Sequence, residues 1–483
     1  MDPSAPAQRS APLPWRRSAP VVSALALLLT DAVAWVAAAG LAYLLRLLLV
    51  GPLPFLWVTW TAGLSWIVFR LAAGLYPPRG VSPPDELRRS FLTVAAGALS
   101  HLVALVVLRE WDLVRLLALS LWVFLLPVAW FARTWTKALL LRHHLYGNPY
   151  VVFGVGENAL RAIREMRANP EYGFVPVAVF GDEDPALWGG EILGVPVLGP
   201  VREVERVVFP YPVTRAIVAI GRREATAARV KEISTEFAGR FPTLLVFPYL
   251  LGLANLWVEP RPLGPFLALE IRHLRFSTVN RVLKRTLDLV LGIPVFLVAL
   301  PIIAGAALAV KMASPGPAFF SQTREGRGGR PIRIWKIRSM VRDAGERLKE
   351  LLANDPAARE EWERTAKLRN DPRIIPRVGA VIRKTSIDEL PQLWSVITGE
   401  MSLVGPRIMP TNEVETYGEE GKKLRREVPP GLTGLWQVQH RNDSDMQVRE
   451  IADSYYVTNW TVWMDLWLLL RTVRVVLLGS GAY

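Results

Sequence analysis

Two adjacent carboxylates, Asp388 and Glu389, sit in the stretch Arg383-Lys384-Thr385-Ser386-Ile387-Asp388-Glu389-Leu390-Pro391-Gln392-Leu393. A basic run precedes them, and a proline of the kind that bounds a helix follows. Neighbours on a helix point about 100° apart, so the two acids can serve different partners. Lys336, Arg338, Arg383 and Arg407 recur around them in short segments punctuated by Gly and Pro. That pattern builds a pocket for phosphate groups rather than a solvated basic face. Two carboxylates among such cations suit a Mg²⁺–diphosphate substrate, one holding the hard cation and the other attacking phosphorus. Taken alone, the Asp-Glu pair reads as an ordinary helix start whose acids favour the positive end of the dipole. The segments around it favour the pocket.

Composition bounds what carries such a pocket. The chain has 483 residues, 51% hydrophobic, with a net charge of +14. Its mean hydropathy is +0.25, higher than a soluble enzyme needs. The 18 Trp and 38 Pro agree with membrane segments, where Trp favours the interface and Pro is tolerated. The positive charge suits nucleic acid, an anionic membrane face or a phosphorylated substrate. With no Cys, thiol chemistry, disulfides and thiolate metal sites are excluded. The five His (His101, His143, His144, His273, His440) are too scattered for a metal cluster.

The elements that must position the pocket follow from hydropathy and charge. Residues 1–19 read as a flexible basic tail, with no signal-peptide cleavage site. Four apolar segments, near 20–49, 53–75, 91–108 and 114–132, each approach the roughly 20 residues a span requires. Basic loops at Arg70, Arg79, Arg88 and Arg89, and after span four at Arg133, Lys137 and Arg142, turn both ends of this unit toward the cytoplasm. Asp31 and His101 lie inside spans, where helix–helix hydrogen bonding is the expected role. A later apolar run, 288–310, has Lys284 and Arg285 before it and Lys311, Arg324, Arg327 and Arg330 after it. Cationic flanks on both sides, with Pro301 mid-segment, predict a broken, re-entrant helix hairpin that enters one leaflet and returns. The C-terminal run from Trp460 to Leu478 fits an interfacial amphipathic helix or a core helix equally well.

Between the membrane elements, Pro149–Gly154 reads as a buried strand running into Gly154-Val155-Gly156-Glu157-Asn158-Ala159 and a helix. This is a GxGxxA turn in the strand-to-helix context that gives the fingerprint meaning. Asp182, after the strand 177–180, stands where a ribose-binding acid is expected, and alternating β and α elements imply a parallel sheet. Against nucleotide binding, Glu157 puts negative charge where a pyrophosphate would dock. A dehydrogenase would also need a Tyr-x-x-x-Lys pair, and Tyr172, Tyr211 and Tyr249 have no Lys four residues on. No cofactor is assigned to this module.

Residues from about 280 to 483 resemble the bacterial sugar transferase family, the monotopic polyprenyl-phosphate glycosyl-1-phosphate transferases. The ordered motifs are Lys284-Arg285 through Asp288, Ser314-Pro315-Gly316-Pro317, Lys336-Ile337-Arg338-Ser339-Met340, Ser386-Ile387-Asp388-Glu389-Leu390-Pro391-Gln392, Met401-Ser402-Leu403-Val404-Gly405-Pro406-Arg407 and Pro430-Gly431-Leu432-Thr433-Gly434. The resemblance implies that Asp388 attacks the β-phosphate of a UDP-hexose, galactose or glucose, and releases UMP. Undecaprenyl phosphate then takes the sugar phosphate, in a first step of O-antigen or exopolysaccharide synthesis. It assigns Mg²⁺ to Glu389 and phosphates to Lys336, Arg338, Arg383 and Arg407, with Arg441, Asp453 and Tyr456 as further substrate-binding positions. Ile337, Ile387 and Ile408 depart from the family's usual Phe, Leu and Pro without removing a charge.

The expected architecture is an α/β membrane protein. Its parts are the tail (1–19), a four-helix transmembrane bundle (20–145), a Rossmann-like parallel-sheet module (146–265) and a mainly helical catalytic domain (280–483) with the re-entrant segment 288–310. The expected location is the bacterial inner membrane with the catalytic domain on the cytoplasmic face. Membrane lipid is an expected partner, nucleic acid is not, and a homodimer is expected. The competing reading, a non-enzymatic assembly platform with a decayed site, is opposed by the intact acid pair and its four cations.

Overall fold

The computed structural model describes residues 19–50, 57–76, 81–107, 112–220, 227–247, 258–263, 266–271, 278–365, 368, 371–439 and 446–478. The chain divides into two compact units, Met1–Leu251 and Gly252–Tyr483. Apart from Ala19, the expected basic tail lies outside the described residues, as does Arg441.

The first unit opens with four helices, α1 (Ala19–Val50), α2 (Trp57–Ala72), α3 (Pro83–Val107) and α4 (Asp112–Arg142). Helix α1 packs along α4, and α3 packs along both α2 and α4. Small residues allow the close approach: Ala34, Ala38 and Ala62 are buried around Trp35, Trp66 and Trp122. A Cβ on Gly97 would fall 2.4 Å from the Trp122 ring, so only glycine fits there. Large apolar side chains such as Leu29, Leu64, Leu99 and Val123 face outward, the inverse of a soluble bundle. Three of the expected spans are helices long and apolar enough to cross a membrane, over Val21–Leu49, Pro83–Val107 and Ala118–Arg142. Helix α2, with 16 residues, is shorter than the expected 53–75, whose first residues lie outside the described set.

Charges fasten this bundle from within. Asp31 on α1 pairs with Arg70 of α2 at 3.0 Å and Arg133 of α4 at 2.9 Å. Arg133 also pairs with Glu86 of α3 at 2.7 Å, and Glu86 in turn pairs with Lys137. One chain of ion pairs therefore joins all four helices. Removing one member would leave a buried charge uncompensated, at a cost of about 3–5 kcal/mol. His101 accepts a hydrogen bond from Trp122 Nε1 at 3.1 Å. Asp31 and His101, the two ionisable residues singled out inside spans, thus hold helices together, as expected.

The same unit continues into an α/β module: β1 (Asn148–Phe153), α5 (Glu157–Ala168), β2 (Phe174–Phe180), β3 (Glu191–Ile192), β4 (Val195–Gly199), β5 (Arg215–Val218), α6 (Ala227–Glu236) and β6 (Thr243–Val246). The sheet order is β3-β4-β2-β1-β5-β6. Every pairing is parallel except that of the short β3 with β4. Strand β1 is buried along its whole length, as a central parallel strand covered on both faces must be.

In the second unit a hairpin of β7 (Val258–Leu263) and β8 (Phe266–Ile271) precedes α7 (Thr278–Ala313). An antiparallel pair follows, β9 (Phe319–Glu325) and β10 (Pro331–Ile337), with Lys336 opposite Phe320. Then come α8 (Ala344–Asn354), α9 (Pro356–Thr365), α10 (Val378–Lys384), a 3-10 turn over Ile387–Gln392 and α11 (Leu393–Thr398). The remainder is β11 (Ser402–Val404), α12 (Thr411–Val414), α13 (Glu419–Arg426), β12 (Gly431–Thr433), α14 (Leu435–Gln439), α15 (Met446–Thr458) and α16 (Val462–Leu478).

Helix α7 runs on through both Pro294 and Pro301. Its start is tied down by Asp288, which accepts from Ser402 Oγ and Leu403 N, and by Lys284, which bridges to Asp465 at 2.7 Å. Arg285 donates to the Val396 and Ile397 carbonyls at the end of α11. Just past its other end, Ser314 and Pro315 offer carbonyls to Arg338. Helix α16 is a core helix in its first turns: Met464, Asp465, Trp467 and Leu468 are buried.

Candidate active site

The two acids occupy the first turn of the helix formed by the 3-10 turn and α11. Ser386, just before them, has φ +56°, a left-handed conformation that a non-glycine residue adopts at some cost. This bend ends α10 and redirects the chain into a turn that packs against β10, the strand that carries Lys336. Lys336 Nζ donates to Glu389 Oε1 at 2.8 Å, and Arg407 Nη2 lies 3.8 Å from the same oxygen.

Arg407 is brought in by a close crossing of backbones. Strands β11 and β12 pair in parallel, and the Gly405 amide donates to the Thr433 carbonyl at 2.9 Å while the Gly431 amide donates to the Pro406 carbonyl at 2.8 Å. A Cβ on Gly431 would fall 2.1 Å from the Gly405 nitrogen. The Gly-Pro-Arg and Pro-Gly-Leu-Thr-Gly segments are therefore two halves of one crossing, which explains why both carry glycine.

A cavity of about 240 Å³ lies beside this crossing, lined by Lys336, Glu389, Gln392, Arg407, Arg324 and Arg449 among others. Glu389 faces it, and Asp388, one position earlier on the turn, is not part of its wall. Adjacent acids thus serve different surroundings, as their angular separation demands. Burial, reinforced by the neighbouring Glu389 charge, pushes the Asp388 carboxyl up to about 6, against the pull of Lys336 and Arg383. A half-buried carboxylate with a raised pKa is more basic than a solvated one yet still ionised at neutral pH.

The structure brings Lys336, Glu389 and Arg407 to the cavity and puts Arg383 close enough to act on Asp388. It sends others elsewhere. Both Nη groups of Arg338 hold the Ser314 and Pro315 carbonyls at 2.8 Å, so this arginine fixes the turn after α7. Asp453 is buried and pairs with Arg425 at 2.7 Å and Tyr417 at 3.0 Å. Tyr456 is buried and donates toward the Val404 carbonyl and Asp465. Their identities in the sequence could not distinguish a pocket wall from a buried polar core. Conversely, Arg324, Gln392 and Arg449 line the cavity without having been singled out. Gln392 stood inside the quoted acid motif, and its place one turn beyond Asp388 and Glu389 was the available signal.

Glu389 and Glu413 are the carboxylates on the cavity wall that would offer an oxygen to a metal. Among the described residues no three His, Asp or Glu converge on one point, so a protein cage is not what the site provides. That donor set fits Mg²⁺, which takes one or two carboxylates and completes its shell with substrate phosphate oxygens and water.

In the sheet module the Gly154–Ala159 turn forms between β1 and α5 as the fingerprint predicts. One of its backbone donors is engaged by a side chain: Val155 N–H donates to Glu183 Oε2 at 2.7 Å. Asp182 accepts from Val201 N and pairs with Arg229. Asn158 Nδ2 donates to the Ile220 carbonyl at 2.9 Å.

A family profile described as bacterial sugar transferase matches residues 279–479, and one described as CoA-binding domain matches 71–245. The undecaprenyl-phosphate galactose phosphotransferase of Salmonella typhimurium is 36% identical, over 82% of this chain and 82% of that protein. The UDP-galactose-lipid carrier transferase of Erwinia amylovora matches to the same extent, 36% over 82% of each chain. The UDP-glucose:undecaprenyl-phosphate glucose-1-phosphate transferase of Escherichia coli is 32% identical over 71% of each. The chain belongs to the bacterial sugar transferase family, and it is a membrane protein.

Proposed function

We propose that this enzyme transfers a hexose-1-phosphate, galactose or glucose, from a UDP-sugar to undecaprenyl phosphate, with release of UMP. The observation that carries the reading is a carboxylate of raised basicity, Asp388, next to Glu389 and the cations Lys336, Arg383 and Arg407. In the first step an Asp388 oxygen forms a bond to the β-phosphorus. The bond from that phosphorus to the bridging oxygen breaks, and UMP leaves with the electron pair. In the second step an oxygen of the lipid phosphate attacks the same phosphorus and the Asp388 carboxylate departs, leaving a diphosphate-linked lipid. Lys336 and Arg407 hold phosphate oxygens and offset the charge that develops on them. Glu389 would hold Mg²⁺, which when bound offsets charge on the diphosphate.

The lipid acceptor requires the pocket to lie at a membrane surface. Helix α7 meets that need if it bends at Pro301 and re-enters the leaflet it left. Its apolar middle, and the attachment of both flanks to elements of the same unit, support this reading. Basic flanks on both sides support a catalytic part on the cytoplasmic face of the inner membrane. The service of O-antigen or exopolysaccharide synthesis follows from the product, a lipid carrying the first sugar.

The test is UMP release from a panel of UDP-sugars with undecaprenyl phosphate and Mg²⁺. Release from one hexose donor, dependent on acceptor, metal and Asp388, is the expected result. Well-folded protein that releases UMP from none of them returns the case to the assembly platform.

A further inference from the structure

Arg449 lines the same cavity as Lys336, Glu389 and Arg407, yet it belongs to none of the motifs that carry the family resemblance. It projects from α15, and its guanidinium carbon lies 4.1 Å from the ring centroid of Trp436. Arg407 lies 5.9 Å from the centroid of that same ring. Trp436 is itself 7% exposed, so the indole is a fixed platform shared by two cations. A guanidinium seated on an aromatic face keeps its planar fork free to meet a phosphate edge.

Both arginines make only long ion pairs: Arg449 Nη1 donates to Glu413 at 3.5 Å, and Arg407 stands 3.8 Å from Glu389. Arg449 Nε is buried without a hydrogen-bond partner, and so is Nε2 of Gln392, a lining residue only 1% exposed. Buried donors left open in this way are costly unless a ligand completes them. Four cations, Arg324, Lys336, Arg407 and Arg449, face two carboxylates, Glu389 and Glu413, around one cavity. The surplus is positive.

Contacts order these groups as Lys336, Glu389, Arg407, Trp436, Arg449, and Asp388 precedes Glu389 in the chain. Two linked phosphates laid along that series would place one beside the carboxylates and the next beside the paired arginines. We propose that Arg449 and Arg407, sharing Trp436, form a second phosphoryl subsite that holds the phosphate of the departing nucleotide. This rests on the transfer reading above. The departing phosphate gains negative charge as its bond to the β-phosphorus breaks, and fixed cations at that position stabilise the change.

The test is equilibrium binding of UMP, and of uridine as the phosphate-free probe, to the purified full-length protein in nanodiscs. Wild type is compared with Arg449→Gln and Arg449→Lys, each checked by thermal melting. Loss of a charge-assisted, bidentate contact should weaken UMP about 10–100-fold in Arg449→Gln and less in Arg449→Lys. Uridine binding and the KM for undecaprenyl phosphate should change less than about twofold. If Arg449→Gln does not fold, Arg449→Lys alone carries the comparison. Unchanged UMP affinity overturns the proposal while leaving the transfer reading intact. A raised KM for the lipid with UMP unaffected also overturns it and moves the arginine to the acceptor phosphate. A wild-type protein that binds no UMP overturns both the subsite and the UDP-sugar donor.

Discussion

Two tight turns in this chain carry acids into the start of a helix, and they differ in what their polar groups do. At Gly154–Ala159, Val155 N–H is engaged by the Glu183 carboxylate, Asp182 by Arg229 and the Val201 amide, and Asn158 by the Ile220 carbonyl. The turn has the outline of a phosphate cradle, and one of its amides is taken by the chain's own carboxylate. At Ser386–Gln392 the balance is reversed. Cations outnumber acids around the cavity, Gln392 and Arg449 keep buried donors open, and Asp388 is held at a raised pKa. A motif acts on a ligand when its neighbours leave its groups unsatisfied, and the outline of the turn alone does not decide that.

The largest effects should come from the second turn and its supports. Gly431→Ala drives a methyl into the Gly405 backbone, and turnover should fall at least a thousandfold together with the melting temperature. Lys336→Met should lower kcat/KM about 10²–10³-fold, the usual loss on removing one preorganised charge from a transition state, with stability little changed. Glu183→Ala is the matched change in the first turn. It should alter turnover less than about twofold, and a larger loss would mean that the two turns are coupled.

The acid limb of the pH profile sharpens the contrast. If Asp388 must be ionised to attack, kcat/KM should fall about tenfold per pH unit below about 6. A limb near 4 instead would mean that the group doing the chemistry is solvated like any surface aspartate.

The smallest effect concerns stability. A carboxyl whose folded pKa lies above its unfolded value weakens the fold where it is ionised, and the penalty vanishes below both values. Asp388→Asn should therefore be more stable than wild type at pH 8, by about 3 kcal/mol at most. The advantage should shrink as pH falls through about 6 and be gone below about 4. A gain that stays constant with pH would trace to packing instead.

Much of this was legible in the residues. Hydropathy and flanking charge pointed to the bundle helices, though α2 came out shorter, and the βα alternation pointed to the parallel sheet. Lys336, Glu389 and Arg407 were visible because their segments are short and punctuated, which leaves few places for their charges to go. Arg338, Asp453 and Tyr456 look the same in sequence. Whether a polar side chain meets a ligand or a buried carbonyl depends on contacts across 23 to 52 residues of chain, which local spacing does not encode. Lys284 was read as flanking charge at a membrane segment and Asp288 as part of a family motif, while in the fold they fasten α7 to β11 and α16. Arg449 was invisible because its significance lies in Trp436, 13 residues away on another helix.

The most direct test of the central claim is intact-mass analysis of the protein after incubation with the UDP-hexose and Mg²⁺ in the absence of lipid acceptor. The account predicts an added hexose phosphate on wild type, mapped to Asp388, lost on adding undecaprenyl phosphate and absent from Asp388→Asn. Turnover by Asp388→Asn at the wild-type rate, or an adduct mapped to Glu389, would contradict it.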